Sequence, residues 1–133
     1  MFTILNKRKS LTIGQLGEKA TAIYLKKLGY VIICLNFTNK TGRRLGEIDI
    51  IAKDGAELVF VEVKTRKRVA NQNIIIPEEN ITLYKLFKLK KIVAYYIKTN
   101  NLWDYTYRFD AVSVLYNEKT QTFKMNHIKN IFL

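Results

Sequence analysis

Apolar positions recur along this 133-residue chain with two different periods, and the switches between them mark out its elements. From Ile13 to Leu28 the spacing is three and four. Leu16, Ala20 and Ile23 form one stripe, Ala22 and Leu25 another, and Gly29 supplies the stop of a helix. Tyr30 to Phe37 is an apolar run rich in branched residues, which reads as a buried strand. A polar turn containing glycine, Thr38 to Arg44, leads to a second strand over Glu47 to Lys53. Asp54-Gly55 is a hairpin signal opening directly into a third strand, Glu57 to Lys64. Thr65 to Asn80, with Arg66, Lys67, Arg68 and the sole proline, Pro77, reads as a long basic loop. Ile81 to Lys98 is helical, with Leu86, Leu89, Val93 and Tyr96 inward and Lys85, Lys88 and Lys91 on a neighbouring row. Tyr105 to Leu115 is a fourth strand and Thr122 to Ile128 a short fifth. Helix, three-strand meander, helix, strand predicts an α/β fold, a mixed sheet with helices packed on it. Residues 1–10 form a basic N-terminal arm, and 11–133 a single domain large enough for its own core.

Composition narrows the class. Apolar residues make up 48% and charged residues 26%, the balance of a globular protein rather than a disordered tail. The single Cys34 lies in an apolar run and offers neither a disulfide nor a zinc cage, which fits a reducing compartment. No apolar segment reaches bilayer-spanning length, and charge follows a very short apolar start, the wrong order for a secretory signal. A cytoplasmic protein without a membrane partner is expected. Twenty-three Lys and Arg against eleven Asp and Glu give a net charge of +12, a bias toward polyanions and so toward nucleic acid. An AT-rich coding sequence would also enrich lysine, so the placing of the few acids carries more information than their number.

Those acids interrupt the most apolar strands. Alternation puts Glu47, Asp49 and Ile51 on one face of the second strand and Ile48, Ile50 and Ala52 on the other. On the third, Leu58, Phe60, Glu62 and Lys64 oppose Val59, Val61 and Val63, so both faces are apolar and the strand is central. Pairing outward from Asp54-Gly55 sets Asp49 opposite or diagonal to Glu62. Carboxylates held so close must share a proton or a cation. An oxygen-only set suits Mg²⁺ or Mn²⁺, which would polarise a phosphate and acidify a water. Lys64 could orient that water or stabilise developing charge. Glu18 shares the stripe of Ala22 and Leu25, behind Gly14 and Gly17, and could reach the same ion from the first helix.

Each residue also has a plainer reading. Glu62 and Lys64 could form an internal salt bridge, Asp49 could cap backbone amides, and Glu18 could be a helix-surface charge. Glu47 reads as an outer support or a partner for Arg43 or Arg44 rather than a direct ligand. Asp110, within Arg108-Phe109-Asp110, reads as a structural ion pair, and His127 as a surface or packing residue. The constellation says more than any member.

Taken together, Gly14-x-x-Gly17-Glu18, Gly46-Glu47-Ile48-Asp49, Val61-Glu62-Val63-Lys64-Thr65-Arg66, Lys85-x-x-Lys88-Leu89 and Arg108-Phe109-Asp110-Ala111-Val112 resemble the YraN-like family of small bacterial proteins. That family is similar to the PD-(D/E)xK nuclease superfamily and, within it, to archaeal-type Holliday junction resolvases. The resemblance implies a restriction-endonuclease-like αβββαβ core. It also implies Glu18, Asp49 and Glu62 as metal ligands, Lys64 as the catalytic lysine, and a homodimer. No proline precedes Asp49, and Tyr84 stands where the family carries a small hydroxyl residue.

Two functions follow. The first is a Mg²⁺- or Mn²⁺-dependent endonuclease acting on DNA, branched or single-stranded, with Arg43, Arg44, Arg66, Lys67, Arg68, Lys85 and Lys88 along the phosphate backbone. The second is a non-catalytic nucleic-acid-binding or assembly module using the same basic surface, its acidic site vestigial.

Overall fold

The structure, a computed structural model, describes residues 10–68 and 83–131. The basic arm, the greater part of the expected loop up to Asn80, and Ile81 at the expected start of the second helix lie outside them.

Helix α1 (Ile13–Lys27) opens with a reciprocal cap. The Thr12 hydroxyl accepts from the Gln15 amide at 3.1 Å, and the Gln15 side chain accepts from the Thr12 amide at 2.9 Å. Gly29, at φ 97°, turns the chain out of the helix. Five strands follow in one sheet: β1 (Val31–Phe37), β2 (Ile48–Asp54), β3 (Glu57–Lys67), β4 (Tyr107–Asn117) and β5 (Thr122–Ile128). Helix α2 (Leu83–Thr99) connects β3 to β4. The spatial order is β1-β2-β3-β4-β5, antiparallel throughout except for the parallel β3–β4 pair. This αβββαββ order, an αβββαβ core extended by β5, is with its mixed sheet the expected α/β architecture, consistent with a restriction-endonuclease-like core.

Each face of the sheet carries its own core. Val59, Val61 and Val63 of β3 pack with Ala22 and Leu25 of α1, together with Ile50, Ala52, Val112 and Val114. Leu58 and Phe60, the alternate residues, pack with Leu89, Ile92, Val93 and Tyr96 of α2. β3 is thus central and covered on both sides, as its two apolar faces predict.

The departures are local. β1 is an edge strand, not a buried one. Val31, Ile33 and Leu35 stay 62%, 42% and 47% exposed, and a bulge at Ile33 breaks the pairing between Ile32 and Cys34. Periodicity cannot separate an apolar edge from an apolar centre. Cys34 is part-buried against the α2-side core. β3 runs on to Lys67, into the segment expected to be loop. Of the two α1 stripes only Ala22 and Leu25 enter the core. Leu16, Ala20 and Ile23 line an open groove of about 540 Å³ with Tyr24, Phe123 and Met125. Among the described residues no helix is long and apolar enough to cross a membrane.

On the side of the sheet that faces α1, one buried carboxylate ties the hairpin to β4 and β5. Asp110, fully buried, accepts from Arg108 Nε at 3.0 Å, from the Asn130 amide at 3.0 Å, and pairs with His127 Nε2 at 2.8 Å. Arg108 also reaches Asp54 at 3.2 Å, Glu57 at 2.9 Å and the Tyr30 hydroxyl at 2.6 Å. The ion-pair reading of Asp110 therefore holds. His127 is no surface residue: its side chain is 5% exposed and its Nδ1 meets the Tyr24 hydroxyl at 3.1 Å, so it links α1, β4 and β5. Burial alone would raise the Asp110 pKa, but the bonds from His127, Arg108 and the Asn130 amide outweigh it and hold the carboxyl below its ordinary value.

A depressed folded-state pKa contributes stability that is complete above the unfolded carboxylate value, about 3.9. That contribution is lost as the pH falls through the lower folded value. Asp110→Asn should therefore cost about 3 kcal/mol at pH 7, read from urea unfolding, and should flatten the acid limb of the stability curve. A loss below about 1 kcal/mol would remove the cluster from its anchoring role.

Candidate active site

The β2–β3 ladder runs from Asp54↔Glu57 back to Ile50↔Val61 and stops. One more step would pair Asp49 with Glu62. Instead the Asp49 carboxylate replaces the ladder, its Oδ2 accepting from the Val63 amide at 2.8 Å. The strands part there, and strict alternation is lost. Ile48 joins the α2-side core with Ile51, while Ile50 and Ala52 join the α1 side, correcting the expectation that Ile48, Ile50 and Ala52 share a face.

Two glycines set the approach. Gly46, at φ 154°, takes a conformation L side chains rarely adopt, and its missing Cβ would stand 3.5 Å from the Lys88 carbonyl. The chain thus enters Glu47-Ile48-Asp49 directly beneath α2. On the other face, a Cβ on Gly17 would collide with the Thr65 side chain, including Thr65 Cβ at 2.8 Å. Gly17 therefore lets α1 lie against β3 next to Lys64 and brings Glu18 to the parting strands. Thr65 Oγ1 is buried in that contact without a hydrogen-bond partner.

Asp49 is 8% exposed and hydrogen-bonded to Glu62. Burial, then the neighbouring Glu62 charge, push its pKa up to about 8 against the pull of the Val63 amide, with Glu18 and Glu47 adding to the rise. Glu62 is raised as well, by burial first, with Lys85 the strongest opposing influence, then the Asp49 hydrogen bond, and a smaller pull from Lys64. Both carboxyls are thus biased toward the protonated form, the condition under which two acids share a proton. It is an acidic, largely dry spot on a molecule of net charge +12.

Of the four sequence-derived site residues, Asp49 and Glu62 meet directly. Lys64 and Glu18 lie within electrostatic reach, Lys64 of Glu62 and Glu18 of Asp49. Glu18 is not a third member of a closed cage. Its Oε1 accepts from Asn36 Nδ2 at 2.9 Å, and among the described residues no three Asp, Glu, His or Cys side chains gather closely enough to hold an ion alone. The oxygen donors nevertheless fit Mg²⁺ or Mn²⁺, which bind through one or two carboxylates and take remaining ligands from water and phosphate.

Glu47 is exposed and raises both buried acids. Among the described residues it has no ion pair with Arg43 or Arg44. Arg43, Arg44, Arg66, Arg68, Lys85 and Lys88 are exposed, as is Lys67, which is bridged to Glu118 at 3.0 Å. One contributor escaped the sequence reading. Asn36, at φ 52°, tethers Glu18, and its signal was a polar, left-handed-tolerant residue inside an apolar run. Lys85, expected along the phosphate backbone, also acts on Glu62.

A family model described as "Uncharacterised protein family UPF0102" matches residues 17–114, a span that contains Glu18, Asp49, Glu62 and Lys64. The chain belongs to the UPF0102 family. This is the YraN-like family its motifs resemble. A UPF0102 protein of Caldanaerobacter subterraneus subsp. tengcongensis is 43% identical over 129 residues, covering 96% of this chain and 100% of that protein. Another, from Caldicellulosiruptor saccharolyticus, is 41% identical over 128 residues with the same coverage. A third, from Clostridium acetobutylicum, is 38% identical over 128 residues, 96% of each chain.

Two stability tests follow from the UPF0102 site. A carboxyl whose folded pKa is raised stabilises the fold while protonated. That contribution is complete below about pH 4 and lost as pH rises through about 8. Asp49→Asn stays neutral and keeps an oxygen for the Val63 amide. In EDTA it should melt several degrees above wild type at pH 9, each kcal/mol being worth about 4 °C, with the gap closing at pH 5. An equal gap at both pH values would show that the proton is not shared. Gly17→Ala should cost about 1–3 kcal/mol by overpacking. Adding Thr65→Gly should recover most of that loss, whereas Thr65→Ala, which keeps the Cβ, should not.

Proposed function

We propose that this chain is a metal-dependent nuclease cutting DNA phosphodiester bonds. The observation that carries the reading is the Asp49–Glu62 pair: two carboxyl groups hydrogen-bonded to each other where β2 and β3 separate, within a strongly basic molecule. A pair held at such electrostatic cost is a standing site for a cation. Asp49 and Glu62 would hold Mg²⁺ or Mn²⁺, with Glu18 accepting from a water at its edge. When bound, such an ion polarises the scissile phosphate and lowers the pKa of an attacking water. Lys64, on the same strand as Glu62, would orient that water and offset charge on the phosphate. Glu47 tunes the pair from outside. Arg43, Arg44, Arg66, Arg68, Lys85 and Lys88, with Lys67 partly occupied by Glu118, would neutralise backbone phosphates on either side.

One feature favours a second reading. The carboxyl pair can satisfy itself by sharing a proton, and no closed ligand set surrounds it among the described residues. A nucleic-acid-binding module with a vestigial site would look the same. It would bind DNA with a steep salt dependence and ignore both Mg²⁺ and Asp49→Ala.

Cleavage decides between them. Linear, flapped and four-way DNA substrates are incubated with Mg²⁺ or Mn²⁺ and with EDTA. Metal-dependent products are expected from wild type, with Glu62→Ala and Lys64→Ala slowed at least about a hundredfold, the loss of several kcal/mol of transition-state stabilisation. No product from any substrate, or equal product from Glu62→Ala, would leave the binding module as the function.

A further inference from the structure

The outer face of α2 carries two large aromatic side chains that the core does not use. Leu89, Ile92, Val93 and Tyr96 face the sheet. Tyr84 and Phe87, three residues apart, are on the opposite side and remain 66% and 57% exposed. Each is followed four residues later by a lysine folded back over its ring. Lys88 Nζ is 5.3 Å from the Tyr84 centroid, and Lys91 Nζ is 4.6 Å from that of Phe87. The stripe belongs to the same turns as Lys85, whose charge is felt by Glu62, and Lys88, whose backbone covers Gly46 at the entrance to Asp49. Exposed rings alternating with cations are the surface that single-stranded nucleic acid requires: π faces for bases and ammonium groups for the linking phosphates. Duplex DNA hides its base faces in the stack and would use only the lysines.

We infer that Tyr84 and Phe87 form a stacking platform for unpaired DNA bases on the outer face of the helix that covers the entrance to the acidic pair, so that the preferred substrate carries a single-stranded segment. The inference rests on the nuclease reading for its biological meaning, but the platform itself does not require catalysis. A lysine lies over one face of each ring and the other takes a base. The flanking phosphate is then held by Lys88 or Lys91. This selects a flap or gap over uniform duplex by the chemistry of the exposed base, independently of sequence.

Binding is measured by fluorescence anisotropy in EDTA, so that cleavage plays no part. The probes are an end-labelled oligo-dT, an abasic strand of equal length and charge, and a duplex. Wild type should bind oligo-dT at least about tenfold more tightly than the abasic strand, the worth of one or two stacked bases. Tyr84→Ala/Phe87→Ala should erase that ratio and leave abasic and duplex affinities and the salt slope unchanged. Tyr84→Phe/Phe87→Tyr should preserve it. Equal wild-type affinity for the two strands, or a uniform loss across all three probes in the alanine variant, overturns the platform. So does a wild-type mass that rises with concentration and falls in the alanine variant, which would assign the face to a second copy. Base-dependent binding without metal-dependent cleavage would keep the platform and discard the nuclease. Cleavage without base-dependent binding would do the reverse.

Discussion

Two carboxyl groups that touch across the gap between β2 and β3 govern how this end of the molecule is built. Side by side and shielded from water, Asp49 and Glu62 cannot both be ionised without compensation, and the surrounding structure supplies it in small increments. The Val63 amide gives up its place in the sheet to bond one oxygen. Lys85 and Lys64 draw the Glu62 pKa back down, while Glu18 and Glu47 push that of Asp49 further up. The ladder ends here because the backbone donor that would continue it is occupied. The opening follows from the Val63 bond, whereas the raised titration comes from burial and the facing Glu62.

The Arg108 cluster shows the opposite solution in the same sheet. Asp110 is even less exposed to solvent than Asp49, yet its pKa falls where that of Asp49 rises. Fixed donors from Arg108, His127 and the Asn130 amide surround the first; a second acid faces the other. One carboxylate is finished and binds the elements together. The other is left in want of positive charge. The contrast is what separates a structural acid from one available for chemistry, and burial alone would not distinguish them.

Most of the architecture was legible because it rests on signals with a strict period. Alternation in β3 predicted both of its faces, Asp54-Gly55 fixed the hairpin, and counting back from it set Asp49 against Glu62. What periodicity could not convey was position within the sheet. β1 is apolar but for Asn36 yet lies at an edge, and Leu16, Ala20 and Ile23 share helical spacing yet line an open groove. Contacts made by absence were also hidden. Nothing in Gly17 announces Thr65, and nothing in Gly46 announces the backbone of α2. His127 looked solitary because its partners, Tyr24 and Asp110, are remote in sequence, the first by almost the whole domain.

The parallel pairing of β3 with β4 has a kinetic consequence. The β2–β3 hairpin closes through a tight turn, whereas Val59 meets Arg108 only after the chain has passed through α2. Loop-closure entropy favours the short connection, so the hairpin nucleates ahead of the crossover. In a chain that has closed only the hairpin, the two acids are neighbours in water, where solvent screens their repulsion. Their conflict arises only when docking of the helices expels that solvent, which places the energetic penalty of the site late on the folding coordinate.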